Sequence, residues 1–183
     1  MRREQRIFHR HRVFTIFAFA AMLPGAGTGS AAERVLIADG KISIELADGW
    51  AETDLNPGKV LAGFATQDKK NSLFLTGFQS GGSLLELMDQ TITNFGQTFE
   101  ITSEEKAKTG QVNGPGDKKW PAVFKSLEAD VKNGNGTFPM KFHLLVFDTG
   151  SQLYTFQASS LKPVREARER QIFEMIRSLV AKP

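Results

Sequence analysis

The sequence of 183 residues contains no cysteine, one tyrosine and only three histidines. Without cysteine the chain cannot form disulfide bonds, a cysteine nucleophile or a thiolate metal site. The scarcity of histidine restricts general-base catalysis and imidazole metal ligation to very few positions. The longest apolar run is far below the roughly 20 residues that a membrane-spanning helix needs. These absences exclude thiol chemistry and disulfide-stapled scaffolds.

Residues 1–32 predict a removable export signal. Five arginines precede an apolar core of 11 residues at 13–23, and Pro24 leads to the small residues Ser30-Ala31-Ala32. An uncleaved anchor would need a core of about 20 residues. We therefore predict cleavage between Ala32 and Glu33, where small side chains fit signal peptidase. A periplasmic or secreted protein with no stable membrane anchor after cleavage is expected.

Removing this segment changes the charge of the chain. The full sequence has 23 Lys and Arg against 20 Asp and Glu, and the predicted signal holds five Arg and one Glu. Residues 33–183 therefore carry 18 basic and 19 acidic side chains, a net charge of −1. Nucleic-acid-binding domains depend on clustered Lys and Arg, so no nucleic-acid partner is expected. The 151 remaining residues are enough for one domain with a substantial core.

Strand patterns occupy three early segments and a long later one. Alternation of apolar and polar residues predicts strands at 41–46, 60–66 and 72–79. In the third strand, Leu73 and Leu75 lie on one face and Phe74 and Phe78 on the other. Because both faces are apolar, both faces of this strand are predicted to be buried. The segment 123–159 predicts a three-stranded antiparallel meander, whose first turn is Asn133-Gly134-Asn135-Gly136. A candidate edge strand lies at 106–112 in an otherwise polar stretch.

Two segments have the three-to-four-residue period of an amphipathic helix. The first, 83–99, starts with a capping box of Ser83 and Glu86 and carries the apolar stripe Leu84, Met88, Ile92, Phe95 and Phe99. The second has Pro163 in its predicted first turn and the stripe Val164, Ala167, Ile172, Met175, Ile176 and Leu179. The order of elements predicts an α+β fold, an antiparallel sheet of about six to seven strands flanked by two main helices.

This order resembles the fold shared by the PsbP proteins of photosystem II, the Ran-binding Mog proteins and the bacterial DcrB-like periplasmic proteins. The matching features are Asp48-Gly49-Trp50 after the first strand, the 83–99 helix, Gly114 in the polar stretch, the meander, and the terminal Ile176-Arg177-Ser178-Leu179. Ala47 stands where that family often has Pro. The resemblance implies a PsbP-like α/β/α sandwich over residues 33–183 and a non-enzymatic binding or assembly protein. It does not identify the partner, because proteins of one fold bind different partners.

His143 is the only histidine outside the predicted signal. Alternation places it opposite Phe142 and Leu144, on the second face of the sheet. A general base needs a nucleophile and an orienting carboxylate, and a zinc site needs three or four ligands. Neither set can be assembled from residues near His143 in sequence. A packed or surface histidine is therefore predicted, with no catalytic residue, metal or cofactor.

Lys118, Lys119 and Trp120 are the predicted partner-binding residues. They follow a Gly- and Pro-containing loop and combine a large apolar ring with positive charge. Tryptophan is enriched at binding hot spots. The alternative interpretation is that Trp120 covers the core at the start of a strand.

Three further patterns have structural explanations that we favour over functional ones. Gly81-Gly82-Ser83 could hold an anion at a helix start, but ordinary capping accounts for it. Glu104-Glu105 and Asp89 could serve as paired carboxylates, but exposed acids on a loop are usually solvated. Asn135-Gly136-Thr137 matches a glycosylation sequon, and a hairpin turn explains it.

Three functional classes follow from the sequence. A periplasmic binding or assembly protein that engages envelope proteins is expected. A small-molecule or lipid carrier with an apolar pocket between sheet and helices is the alternative, suggested by 15 phenylalanines. A hydrolase is the third, for which the sequence names no nucleophile, base and orienting acid.

Overall fold

The structure is a computed structural model that describes residues 33–53, 60–79, 81–133 and 136–183. The predicted signal peptide, including Ala32, lies outside the described residues. Within them the helices are α1 (Leu84–Thr98) and α2 (Glu166–Ser178). The strands are β1 (Glu33–Ile37), β2 (Ile42–Leu46), β3 (Trp50–Glu52), β4 (Val60–Thr66), β5 (Asn71–Gln79), β6 (Glu100–Glu104), β7 (Lys108–Asn113), β8 (Lys119–Asn133), β9 (Gly136–Asp148), β10 (Gln152–Leu161) and β11 (Val180–Ala181).

These eleven strands of the described ranges form a single sheet. Their order is β1-β2-β11-β7-β8-β9-β10-β5-β4-β3, and β6 pairs with β8 outside this path. The pairs are antiparallel except β11 with β7, which is parallel. The prediction of six to seven strands is therefore wrong, while the α+β class is confirmed. The additional strands β1, β3, β6 and β11 are short, two to five residues each, too short for a clear period.

The two helices cover opposite faces of the sheet. Along β9, Phe142 and Leu144 pack against the buried residues of α1, whereas Leu145 and Phe147 join the core beneath α2. This is the expected result of side chains that alternate across a strand. The predicted stripe of α1 is confirmed, with Met88 and Phe95 buried and the other three members packed beside them.

Three details of the prediction are corrected. Pro163 precedes α2, because the helix starts at Glu166 with Arg165 as its N-cap, and the Lys162–Pro163 peptide is cis. Ala167 is consequently exposed, and the chain continues past α2 into β11. β5 is not covered on both faces along its whole length, since Phe78 is 36% exposed.

Among the described helices, none has the length and apolar character to cross a bilayer.

Candidate functional site

An open, largely apolar groove lies between α2 and β7. Its volume is about 480 Å³, within the roughly 300–1,000 Å³ typical of ligand pockets. We call it the α2–β7 groove and define it by its lining: Lys108, Thr109, Gly110, Gln111, Val112 and Asn113 of β7, Ala122 and Phe124 of β8, Leu145 of β9, and Phe173, Ile176 and Arg177 of α2. Three consecutive strands and the more distant helix α2 therefore build one concave surface.

Small residues on the sheet keep the groove open. Lys108, Gly110 and Val112 alternate onto the α2 side of β7, as the burial of Val112 in the core beneath α2 indicates. A Cβ on Gly110 would have no heavy atom within 4 Å. Ala122 lies directly opposite Gly110 in the β7–β8 register. The space between these two residues and the side chains of α2 is therefore empty.

A buried polar cluster lies beside the groove. His143 is 0% exposed, and its Nδ1 lies 3.0 Å from Ser126 Oγ, because the two residues are directly opposite in the β8–β9 register. The imidazole centroid is 6.0 Å from that of Phe124 and 4.9 Å from that of Phe173. Both phenyl rings line the groove. The imidazole of His143 therefore packs against groove-lining residues from the protein interior.

Glu169 of α2 completes the cluster. Lys141 Nζ donates to Glu169 Oε1 at 2.6 Å, and His143 Nε2 is 3.4 Å from the same oxygen. That distance exceeds the usual hydrogen-bond range, and Nε2 has no hydrogen-bond partner within the described residues. Burial lowers the pKa of His143 to about 4; the negative charge of Glu169 opposes this shift, and the positive charge of Lys141 adds to it. The imidazole is therefore neutral at neutral pH.

Ser126, His143 and Glu169 stand in the order of a nucleophile, base and orienting acid. Sequence reasoning did not bring them together, although counting outward from the turn at 133–136 pairs 126 with 143. Ser126 is 2% exposed and His143 is closed to solvent, so a substrate cannot reach the hydroxyl in this arrangement. The three side chains form a buried contact between sheet and helix. Of the two predicted alternatives, a packed or a surface histidine, His143 is the packed one.

The structure places Trp120 in the core. Its side chain is 6% exposed, and its Nε1–H donates to the carbonyl oxygen of Ala181 at 2.7 Å. Lys118 Nζ lies 4.1 Å from the ring centroid, while Lys119 Nζ donates to Asn113 Oδ1 at 2.5 Å. Both lysines are exposed. Partner binding by Lys118, Lys119 and Trp120 stays a prediction, and the exposed lysines are the part of it that a partner can reach.

The remaining sequence candidates are dispersed. Ser83 N–H donates to Glu86 Oε2 at 3.3 Å, as the capping box predicts. Glu104 pairs with Lys125 at 2.6 Å, and Glu105 lies 3.5 Å from Lys108 Nζ. Asp89 is on the exposed side of α1, and Asn135 of the sequon lies outside the described residues. In the described ranges no three His, Asp or Glu side chains converge to hold a metal ion.

Comparison with known proteins identifies the fold. No protein-family model matches the sequence, and no curated protein sequence matches it significantly. Among solved structures, the cyanobacterial PsbP of Synechocystis sp. PCC 6803 aligns with a TM-score of 0.54 and 15% identity, over 86% of this chain and 98% of that one. The yeast Ran-binding protein Mog1p of Saccharomyces cerevisiae aligns at 0.51 and 11%, over 81% and 94%. This chain has the PsbP/Mog-like fold.

Two further solved structures, both bacterial, align with this chain over most of its length. LpqN of Mycobacterium tuberculosis, described as involved in cell envelope biogenesis, aligns with a TM-score of 0.53 and 9% identity, over 85% of this chain and 87% of that one. This chain spans about half of a Bacteroides thetaiotaomicron protein of the same fold (TM-score 0.52, 14% identity, 83% and 49% coverage). At such identities the likeness is one of fold, and the predicted resemblance is confirmed at that level.

Proposed function

We propose that this protein is an exported, non-enzymatic binding protein of the bacterial envelope, and that its α2–β7 groove receives the partner. The observation that carries the proposal is the groove itself. Phe124, Phe173 and Ile176 are only half-buried there, although the core around them is closed. Apolar side chains left open in a concave surface are typical of binding sites.

Two observations support a binding role over catalysis. The Ser126–His143 pair is sealed from solvent, and the groove wall in front of it consists of phenyl rings. LpqN and Mog1p, described respectively as an envelope-biogenesis protein and a Ran-binding protein, share the fold. The predicted export signal would carry this protein to the envelope. We therefore favour an envelope protein as the partner, although fold alone does not transfer a function.

The carrier alternative would use the same groove. One side of the groove is formed by the whole length of β7, so main-chain groups line it beside the apolar side chains. A lipid chain offers no hydrogen bonds to such groups, whereas a protein segment does. This difference favours a protein partner over a lipid.

Photo-crosslinking in intact cells tests the proposal. We expect p-benzoylphenylalanine in place of Arg177, an exposed residue at the groove rim, to capture a discrete species that mass spectrometry identifies as an exported protein. The matched control places the same amino acid at Asp89, which is exposed on the helix that covers the opposite face of the sheet. Absence of a discrete species from position 177, or equal capture from position 89, would contradict the proposal.

A further inference from the structure

Strand β7 has an open backbone edge beside the α2–β7 groove. On one side it pairs with β8 over all six residues. On its other side the sheet continues through β11, which is two residues long and pairs with β7 only at Asn113. Within the described residues, no strand pairs with Lys108 to Val112 on that side. The sheet is therefore split between β2 and most of β7.

The direction of the main-chain groups of β7 follows from the hydrogen bonds at its turn. Gly114 N–H donates to the Lys118 carbonyl at 2.8 Å, and bonded and non-bonded pairs alternate along an antiparallel ladder. The N–H and C=O of Thr109 and Gln111 therefore point away from β8. Two observations agree: Pro121, opposite Gln111, has no N–H to donate, and Asn113, two residues on, pairs outward with β11.

A strand added to this edge would meet the groove with every second side chain. Adjacent strands lie about 4.8 Å apart, and alternate residues point to the same face. On the α2 side, such a residue would pass into the empty space that Gly110 leaves, against Phe173 and Ile176. Backbone pairing and a side-chain pocket are the two components of peptide recognition by strand addition.

The charge of the groove limits the partner's sequence. Its lining contains two basic residues, Lys108 and Arg177, and no acidic residue. The Lys108 side chain is 68% exposed, and its ion pair with Glu105, at 3.5 Å, is open to solvent, which makes that pair weak. Lys108 begins β7, and Arg177 lies at the other end, where its carbonyl accepts from Asn113 Nδ2. An acidic residue at either end of an added strand would complement these cations.

We propose that the α2–β7 groove binds an extended segment of its partner protein, which adds as a strand to the open edge of β7 and carries an apolar residue flanked by acidic ones. This inference rests on the proposed function, because it names the class of partner for the same groove. The main chain of the partner bonds to Thr109 and Gln111, and its apolar side chain fills the space above Gly110.

The probe is a peptide chosen from a display library of short random sequences by selection for binding to the wild-type protein. We expect selected peptides to have a central apolar residue and acidic flanks. Thr109→Pro and Gln111→Pro remove an outward N–H without breaking the ladder to β8, and each should raise the Kd of a selected peptide at least about tenfold. The matched variants Thr109→Ala and Gln111→Ala keep that N–H and should raise the Kd at least about threefold less than the corresponding proline variants.

Amide hydrogen exchange on the wild-type complex supplies a readout that does not depend on a variant folding. The N–H groups of Thr109 and Gln111 should exchange at least about tenfold more slowly with peptide bound. Gly110, which faces Ala122 in the ladder, should change little. Selection of no binding peptide, equal loss in alanine and proline variants, or unchanged exchange at Thr109 and Gln111 would overturn strand addition. Capture from position 177 in cells despite such a result would leave the proposed function standing.

Discussion

Replacement of Trp120 with alanine should lower the free energy of unfolding by about 3–5 kcal/mol, the range for removing a buried Trp or Phe side chain. The indole is part of the core beneath α2, and Trp120 lies directly opposite Val112 in the β7–β8 register. Its Nε1–H holds the carbonyl of Ala181, and so anchors β11 between β2 and β7. The backbone of Gly114 packs closely against the ring, since a Cβ there would lie 2.8 Å from Nε1.

Two matched variants separate the contributions of Trp120. Trp120→Phe retains much of the ring but leaves the buried Ala181 carbonyl without its donor, which should cost about 1–3 kcal/mol. Lys118→Ala removes only the cation above the ring and should cost about 0.5–1 kcal/mol. Denaturant unfolding measures all three. A Trp120→Ala protein within about 1 kcal/mol of wild type would show that the indole is not a core side chain.

The second large effect is a loss of stability in mild acid. Burial holds the pKa of His143 at about 4, against an ordinary 6.5. Above pH 6.5 the imidazole is neutral in both folded and unfolded chains, so it adds no pH dependence there. Between pH 6.5 and 4 the unfolded chain binds a proton that the folded protein does not. The free energy of unfolding should therefore decrease as the pH is lowered from 6.5 to 4, by about 3 kcal/mol in total.

His143→Gln isolates this contribution, because glutamine does not titrate. The carboxylates Asp68 and Glu100, whose pKa values are lowered by hydrogen bonds to Thr66 and Lys132 respectively, remain in both proteins. Their effects cancel when the two stability profiles are subtracted. Denaturant midpoints from pH 7 to pH 4 should fall less steeply for the variant. Parallel profiles for the two proteins would contradict the buried, neutral state of His143.

The fold was most predictable where the sequence is periodic over many residues. The stripe of α1 and the 123–159 meander both have apolar positions that repeat in step with their geometry, and the structure has them as predicted. β6 has the sequence EITSE, is mostly exposed and has no such repeat. It pairs with residues 127–130 of β8, which are distant in sequence. Short strands of this kind depend on tertiary contacts and not on local pattern.

The candidate site was less predictable, and the reason differs between its parts. Ser126 and His143 share one hairpin, so the register of its turn would have been enough to pair them. Glu169 joins them only through the packing of α2 across the sheet. The α2–β7 groove likewise requires Gly110 and Ala122 to line one surface together with Phe173, a relation between residues far apart in sequence. No local pattern in the sequence contains that information.

The claim that a partner occupies the α2–β7 groove is tested most directly by filling it. Gly110 has no neighbour within 4 Å of an added Cβ, so Gly110→Leu should place its side chain in the groove with little change in the thermal midpoint. Crosslinking from position 177 in cells should then fall at least about tenfold, while Gly110→Ala, which fills far less, should retain most of it. Undiminished crosslinking in a folded Gly110→Leu protein would contradict the groove as the binding site.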